Sequence, residues 1–233
     1  MLQIYPHNTM LSMIVYSYSN ARTDNAYYIL TNGTEGTEIT CASLNCVLAS
    51  YAKLGHVEHA FSTYDEFEMN GIEPNADTFS YLMEALATEM INPSPFLTKE
   101  PETQIEEAEA IFNMMAKLEM QPSEYYVHHY VCFLIHFKEL EKAKTFLQDM
   151  AENRKVKIQL PTFENLAHQF LQSNDVDSAN EICDLMRSVA NEHNATGQMH
   201  RDIVPIQLKK QIETAKRNAK RTISKDAEVE ILD

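Results

Sequence analysis

Between residues 42 and 76 the apolar positions fall at helical spacing. Leu44, Val47, Leu48 and Tyr51 share one face of a predicted helix. Leu54-Gly55 breaks that period, and Val57, Ala60, Phe61 and Tyr64 open a second periodic run. Asn70-Gly71 is a helix stop, with Pro74 just beyond it. The pattern predicts a helical hairpin of 35 residues.

The hairpin recurs. Residues 161–195 repeat it, with Ala179 placed 18 residues after the start, as Ala60 is after Ala42. Residues 125–160 repeat it over 36 residues, with Ala143 and Met150 in register. Residues 77–124 carry both halves of the unit, separated by an insertion at 92–104 rich in Pro, Thr and Glu. Residues 8–41 form a degenerate earlier unit with Ala26 in the register of Ala60. The small alanine lets the two helices of a hairpin approach closely, while Leu, Phe and Met fill the gaps. One hairpin cannot bury its own apolar faces, so the units are expected to stack, giving an all-α fold, an α-solenoid over 8–195. Residues 196–225 form a basic segment, with Pro205 at a first helical position and Ile206, Leu208, Ile212 and Ala215 on an incomplete apolar face. It is expected to cap the open end as a C-terminal helix. An acidic tail follows at 226–233.

Charge narrows the classes of partner. The 233 residues carry a formal net charge of −15, but unevenly: 11 Lys+Arg face 28 Asp+Glu in residues 1–200, whereas 8 face 2 in 201–225. An acidic body is a poor match for broad phosphate binding, and a local basic contact is left at the tail. The cysteines Cys41, Cys46, Cys132 and Cys183 form no Cys-x-x-Cys pair, so zinc ribbons and small disulfide frameworks are not indicated. No apolar run reaches the ~20 residues of a membrane span. Residues 1–6 lack the features of a signal or transit peptide. With the first unit starting so near Met1, further N-terminal repeats and a transit peptide are expected upstream.

The register of Ala, Phe or Tyr, Met, Gly and Pro resembles the pentatricopeptide repeat family, best over residues 42–76 with L-N-C-V-L-A-S-Y-A-K-L-G-H-V-E-H-A and N-G-I-E-P-N. The tetratricopeptide signature, with its tryptophan, is missing. The resemblance implies a plant organellar, mitochondrial protein and contact with single-stranded RNA, one base per repeat, through the fifth and last residues of each unit. Counted from 42, 77, 125 and 161, those pairs are Cys46 with Ala76, Tyr81 with Glu124, His129 with Leu160, and Asn165 with Ala195. Only Asn165 has the short polar chemistry such reading needs. Helical spacing adds Lys53, Tyr126, Phe133, His136 and Gln169 to the same groove face. One lysine is little to follow a phosphate backbone, while Tyr126, His129, Phe133 and His136 offer surfaces for stacking on bases or on a protein.

Enzymatic chemistry finds no support: there is no nucleophile motif, P-loop or nuclease-like acidic cluster. His129, Cys132 and His136 lack a fourth metal ligand, and His56-Val57-Glu58 lacks a Cys-x-x-Cys partner. No cofactor or small-molecule substrate is expected. The basic helix offers Lys209, Lys210, Lys216, Arg217, Lys220 and Arg221 to RNA phosphate. Taken together, the expectation is a non-enzymatic scaffold in an organellar ribonucleoprotein, such as a mitochondrial ribosome, holding protein subunits along its body and RNA at its end. The alternative is a free factor acting in RNA processing, stability or translation.

Overall fold

The computed structural model describes residues 39–93, 100–193 and 204–230, with the side chains of Pro101, 191–193 and 219–230 left undescribed. The predicted unit at 8–41 falls almost wholly outside these residues, as do residues 94–99 of the 92–104 insertion and the 231–233 end. Among the described residues the regular structure is entirely helical. The chain forms two compact units, residues 1–133 and 134–233.

The first unit contains α1 (Cys41–Leu54), α2 (Val57–Met69), α3 (Ala76–Ile91), α4 (Pro101–Lys117) and most of α5 (Glu124–His136). Side chains just outside the helices set where they start. The Thr40 hydroxyl accepts from the Ser43 N–H at 3.2 Å while the Thr40 N–H donates to the Ser43 hydroxyl at 2.9 Å, closing a capping box. Asn75 and Thr78 build the same box ahead of α3, with both bonds at 3.1 Å. Pro101 starts α4 three residues before the predicted insertion ends, because proline suits a first turn with no N–H to satisfy. α1 ends at Gly55, which takes a left-handed conformation (φ +67°) and lets the His56 N–H reach back to the Tyr51 carbonyl at 3.0 Å.

α1 packs against both its hairpin partner α2 and the first helix of the next repeat, α3. Leu44, Leu48, Phe67, Phe79 and Leu82 are fully buried there, each stabilising the stack by about 1.5–3 kcal/mol. Ala60 has no exposed surface, and neither has Ala108 on α4. A side chain larger than a methyl at either place would meet close-packed neighbours.

The second unit holds the end of α5, then α6 (Leu140–Gln148), a π-helical turn (Asp149–Asn153), α7 (Leu160–Gln172), α8 (Val176–His193) and α9 (Ile206–Glu230). The π turn accounts for the repeat of 36 rather than 35 residues, since a wider last turn takes up one extra residue before the helix ends. It is stapled by Asp149, which accepts from Asn153 Nδ2 at 2.8 Å and Arg154 Nε at 3.1 Å. Hydrogen bonding, first from Asn153 and then from Arg154, holds the Asp149 carboxyl below its usual range. Asp175 caps α8 by accepting from the Ser178 N–H at 3.0 Å. Lys144 reaches from α6 to α8, donating to the Ser178 hydroxyl at 3.1 Å and pairing with Glu181, and it lies over the Phe170 ring.

α9 packs on α7 and α8 and closes this end of the array. Leu208 and Ile212 on α9, and Val204 just before it, are buried. Ile206, expected on that apolar face, is instead 70% exposed, because it lies about 200° around the helix from Leu208. α9 also runs past residue 225 into the predicted acidic tail.

Candidate nucleic-acid interface

The capping residues shift the register of every repeat. α1, α3, α5 and α7 begin at Cys41, Ala76, Glu124 and Leu160, each one residue earlier than the pattern-based starts at 42, 77, 125 and 161. Counted from the helices themselves, the fifth residues are Asn45, Ser80, His128 and Glu164, not Cys46, Tyr81, His129 and Asn165. The residues immediately before the next first helix are Asn75, Ser123 and Gln159, not Ala76, Glu124 and Leu160. One residue is about 100° around a helix, so the shift turns a different set of side chains toward the next repeat.

Two of the shifted pairs are joined directly. Asn45 Nδ2 donates to Asn75 Oδ1 at 3.0 Å, and the Thr78 hydroxyl donates to Asn45 Oδ1 at 2.8 Å. Asn75 thus caps α3 and binds α1 with a single oxygen. One repeat later, Ser80 and Ser123 hydroxyl oxygens are 2.7 Å apart. The Ser80 proton is committed to the Ala76 carbonyl at 2.8 Å, so Ser123 is the donor, and Ser123 in turn accepts from the Tyr126 N–H at 3.1 Å. Each clasp links the fifth residue of one repeat to the N-cap of the next. The signal for it was present in the sequence as Thr40, Asn75 and Ser123, all good N-cap residues.

Of the predicted groove residues, Cys46, Tyr81, His129, Asn165 and Gln169 are half-buried and Lys53 and His136 are exposed. Tyr126 and Phe133 are corrected: both are core residues, 0% and 1% exposed. The Tyr126 ring lies between Phe112 and Tyr130, with centroids 6.4 Å and 6.0 Å away, and burial drives its hydroxyl pKa well above 10. Stacking on a base is closed to it. Lys53, the one cation expected in the groove, exerts its charge on Glu84.

The α3 and α5 faces leave a cleft of about 400 Å³ lined by Asp77, Ser80, Tyr81, Glu84, Tyr125 and His129. Burial raises the Glu84 carboxyl, an effect that Lys53 partly offsets. Burial, with a smaller contribution from His128, lowers His129 to about 4 and keeps it neutral at pH 7. The cleft is therefore acidic and aromatic, with no cation among the described residues that line it.

On the basic helix, Lys210, Lys216 and Arg217 are exposed and Lys209 is half-buried; the side chains of Lys220 and Arg221 lie outside those described. Lys216 is not idle, since its Nζ donates to Asn180 Oδ1 on α8 at 3.1 Å. Among the described residues no group of three or more His, Cys, Asp or Glu could hold a metal, and no helix is long and apolar enough to cross a membrane.

Hairpins with this turn chemistry and these inter-repeat clasps define a helical repeat protein. Residues 41–88 match the PPR repeat family. Those residues are a pentatricopeptide-type repeat, and the fold is the α-solenoid of pentatricopeptide repeat proteins. Among solved structures it is similar to the PPR domain of Arabidopsis thaliana protein-only RNase P 1 in complex with tRNA. That likeness has a TM-score of 0.63 at 15% identity, covering 90% of this chain and 96% of that one. It is also similar to the pentatricopeptide repeat protein PPR10 in complex with an 18-nt psaJ RNA element, with a TM-score of 0.55 at 14% identity. There 84% of this chain is covered but only 26% of PPR10. No curated protein matches it by sequence.

Proposed function

We propose that the chain binds single-stranded RNA as a non-enzymatic pentatricopeptide component of an organellar ribonucleoprotein. The observation that carries this reading is the pair of inter-repeat clasps, Asn45 with Asn75 and Ser80 with Ser123. They put short polar side chains at the fifth and last positions, where the family resemblance implies base contact. An amide offers both a donor and an acceptor; Asn75 is exposed while Asn45 is 8% exposed behind it, so a base edge meets the Asn75 amide, which Asn45 positions. The solved PPR domain of RNase P 1 and PPR10, each bound to RNA, support the same reading. Phosphate contributes little along the body, and the exposed lysines and Arg217 of α9 supply what there is.

The test is fluorescence anisotropy of the full chain with labelled 12-nucleotide single strands of each base. Asn45→Ala with Asn75→Ala should weaken binding at least ten-fold. Asn75→Asp keeps the cap and the acceptor but removes the amide donor, so it should change base preference without unfolding α3. Equal affinity for all four bases in the parent and both variants would overturn base reading by the clasps.

A second reading has its own observation, the acidic body. A solenoid with so few cations is suited to holding proteins in a mitochondrial ribosome-associated particle, with RNA only at α9. Comigration of the native protein with ribosomal subunits through high salt supports it, and release as a free protein rejects it. Residence in the mitochondrion belongs to both readings and is checked by imaging a full-length fusion.

A further inference from the structure

The cleft between α3 and α5 has a chemistry that base reading does not use. Its lining carries two carboxylates, the exposed Asp77 and the half-buried Glu84, and two tyrosines, Tyr81 from α3 and Tyr125 from α5, the latter 58% exposed. Ser80 and His129 complete the lining. At about 400 Å³ it is near the lower end of ligand-sized cavities, so it holds one long side chain or one ring, not a helix.

We propose that this cleft is a docking site for an arginine side chain presented by a basic segment of a protein partner. The electrostatics select the occupant. Residues 1–133 hold 4 Lys+Arg against 18 Asp+Glu, so the whole unit favours an approaching cation. A nucleotide would bring a phosphate into a lining with two carboxylates and no cation. The remaining lining residue able to carry positive charge, His129, is neutral at pH 7. Half-burial of Glu84 makes its ionised form costly, Lys53 offsets that cost only in part, and an incoming cation lowers it further. Arginine is favoured over lysine because a planar guanidinium can lie on a tyrosine face while bonding a carboxylate through two N–H groups at once. The clasp at Ser80 borders the cleft, so a peptide seated here and an RNA base read at this repeat compete for the same space.

The experiment uses the full chain and a labelled nonapeptide with three arginines spaced by Gly-Ser, with a lysine counterpart and a 12-nucleotide single strand as comparisons. The arginine peptide is expected to bind about five-fold or more tightly than the lysine peptide. Glu84→Gln with Asp77→Asn should weaken it about ten-fold or more. Tyr125→Ala, a change at an exposed ring that leaves the core alone, should weaken it several-fold; far-UV circular dichroism confirms that each variant is folded. Equal binding of the two peptides, or no effect of Tyr125→Ala and the double variant, overturns the proposal. So does the reverse pattern, in which these variants weaken RNA and spare the peptide. Asn45→Ala alone, which leaves the Asn75 cap of α3 in place, should leave peptide binding unchanged, which separates failure of this site from failure of RNA recognition.

Discussion

Gly55 is the residue on which the stacking of two repeats depends most directly, and its replacement by alanine has a cost that can be worked from the geometry. Its φ of +67° lies in the left-handed region, where a Cβ costs about 1 kcal/mol. That Cβ would also sit 2.8 Å from the Glu89 nitrogen, 3.0 Å from the Glu89 Cα and 3.1 Å from the Thr88 carbonyl carbon. These are backbone atoms of α3 and cannot rotate away, so α1 and α3 must separate, at a further ~1–3 kcal/mol. Gly71 provides the internal control. Its φ is +64°, yet a Cβ there meets nothing within 4 Å, so Gly71→Ala should cost only the conformational part, about 1 kcal/mol. Urea unfolding followed by circular dichroism measures both. Gly55→Ala is expected to lower the midpoint by two to four times as much as Gly71→Ala, without changing the helical content of the folded state. Equal midpoints for the two variants would refute the claim that close approach of α1 to α3 demands a glycine.

The other turns, His129 and the inter-helix lysine give further checks. Lys138 and Asn174 also have positive φ, at 64° and 60°, so Lys138→Gly should raise the unfolding free energy by ~0.5–1 kcal/mol, read as a higher urea midpoint, and Asn174→Gly by less. His129 titrates at about 4 in the fold against 6.5 when unfolded, so the unfolded chain binds the extra proton first. Its burial is harmless above pH 6.5, and stability should fall as pH drops from 6.5 to about 4, by at most ~3 kcal/mol. His129→Gln should flatten that part of the pH–stability curve, and an unchanged slope would exclude His129 as its source. Lys144→Met keeps the stem over Phe170 but removes the bonds to Ser178 and Glu181, and thermal unfolding should show a loss of ~1–2 kcal/mol.

Much of the fold was legible because the repeat states its own packing. The alanines singled out at 60, 143 and 179 are each completely buried, as helix pairs that touch through methyl groups require. Leu44, Val47, Leu48 and Tyr51 face inward together, since a 3.6-residue period admits one buried stripe per helix. The hairpin turns were also readable: Gly55 and Gly71 mark positions that Lys138, Asn174, Glu119 and Lys155 occupy with the same left-handed backbone. Those four are harder to see, because only glycine advertises the conformation in its chemistry.

The candidate site was less legible for one physical reason. Apolar periodicity alone determined that helices exist, which stripe each buries and that the hairpins stack, but it left their starts uncertain by a residue. A shift of one residue rotates every assignment by about 100°, enough to exchange Asn45 for Cys46 and to offer the core residues Tyr126 and Phe133 as a surface. The starts were decided by the hydrogen bonds that the side-chain oxygens of Thr40, Asn75 and Ser123 accept from backbone N–H groups, and by the bonds that Asn75 and Ser123 make to the preceding repeat. The latter join residues 30 and 43 positions apart in the chain. Contacts of that range, like the acidic cleft between α3 and α5, exist only once the repeats have stacked.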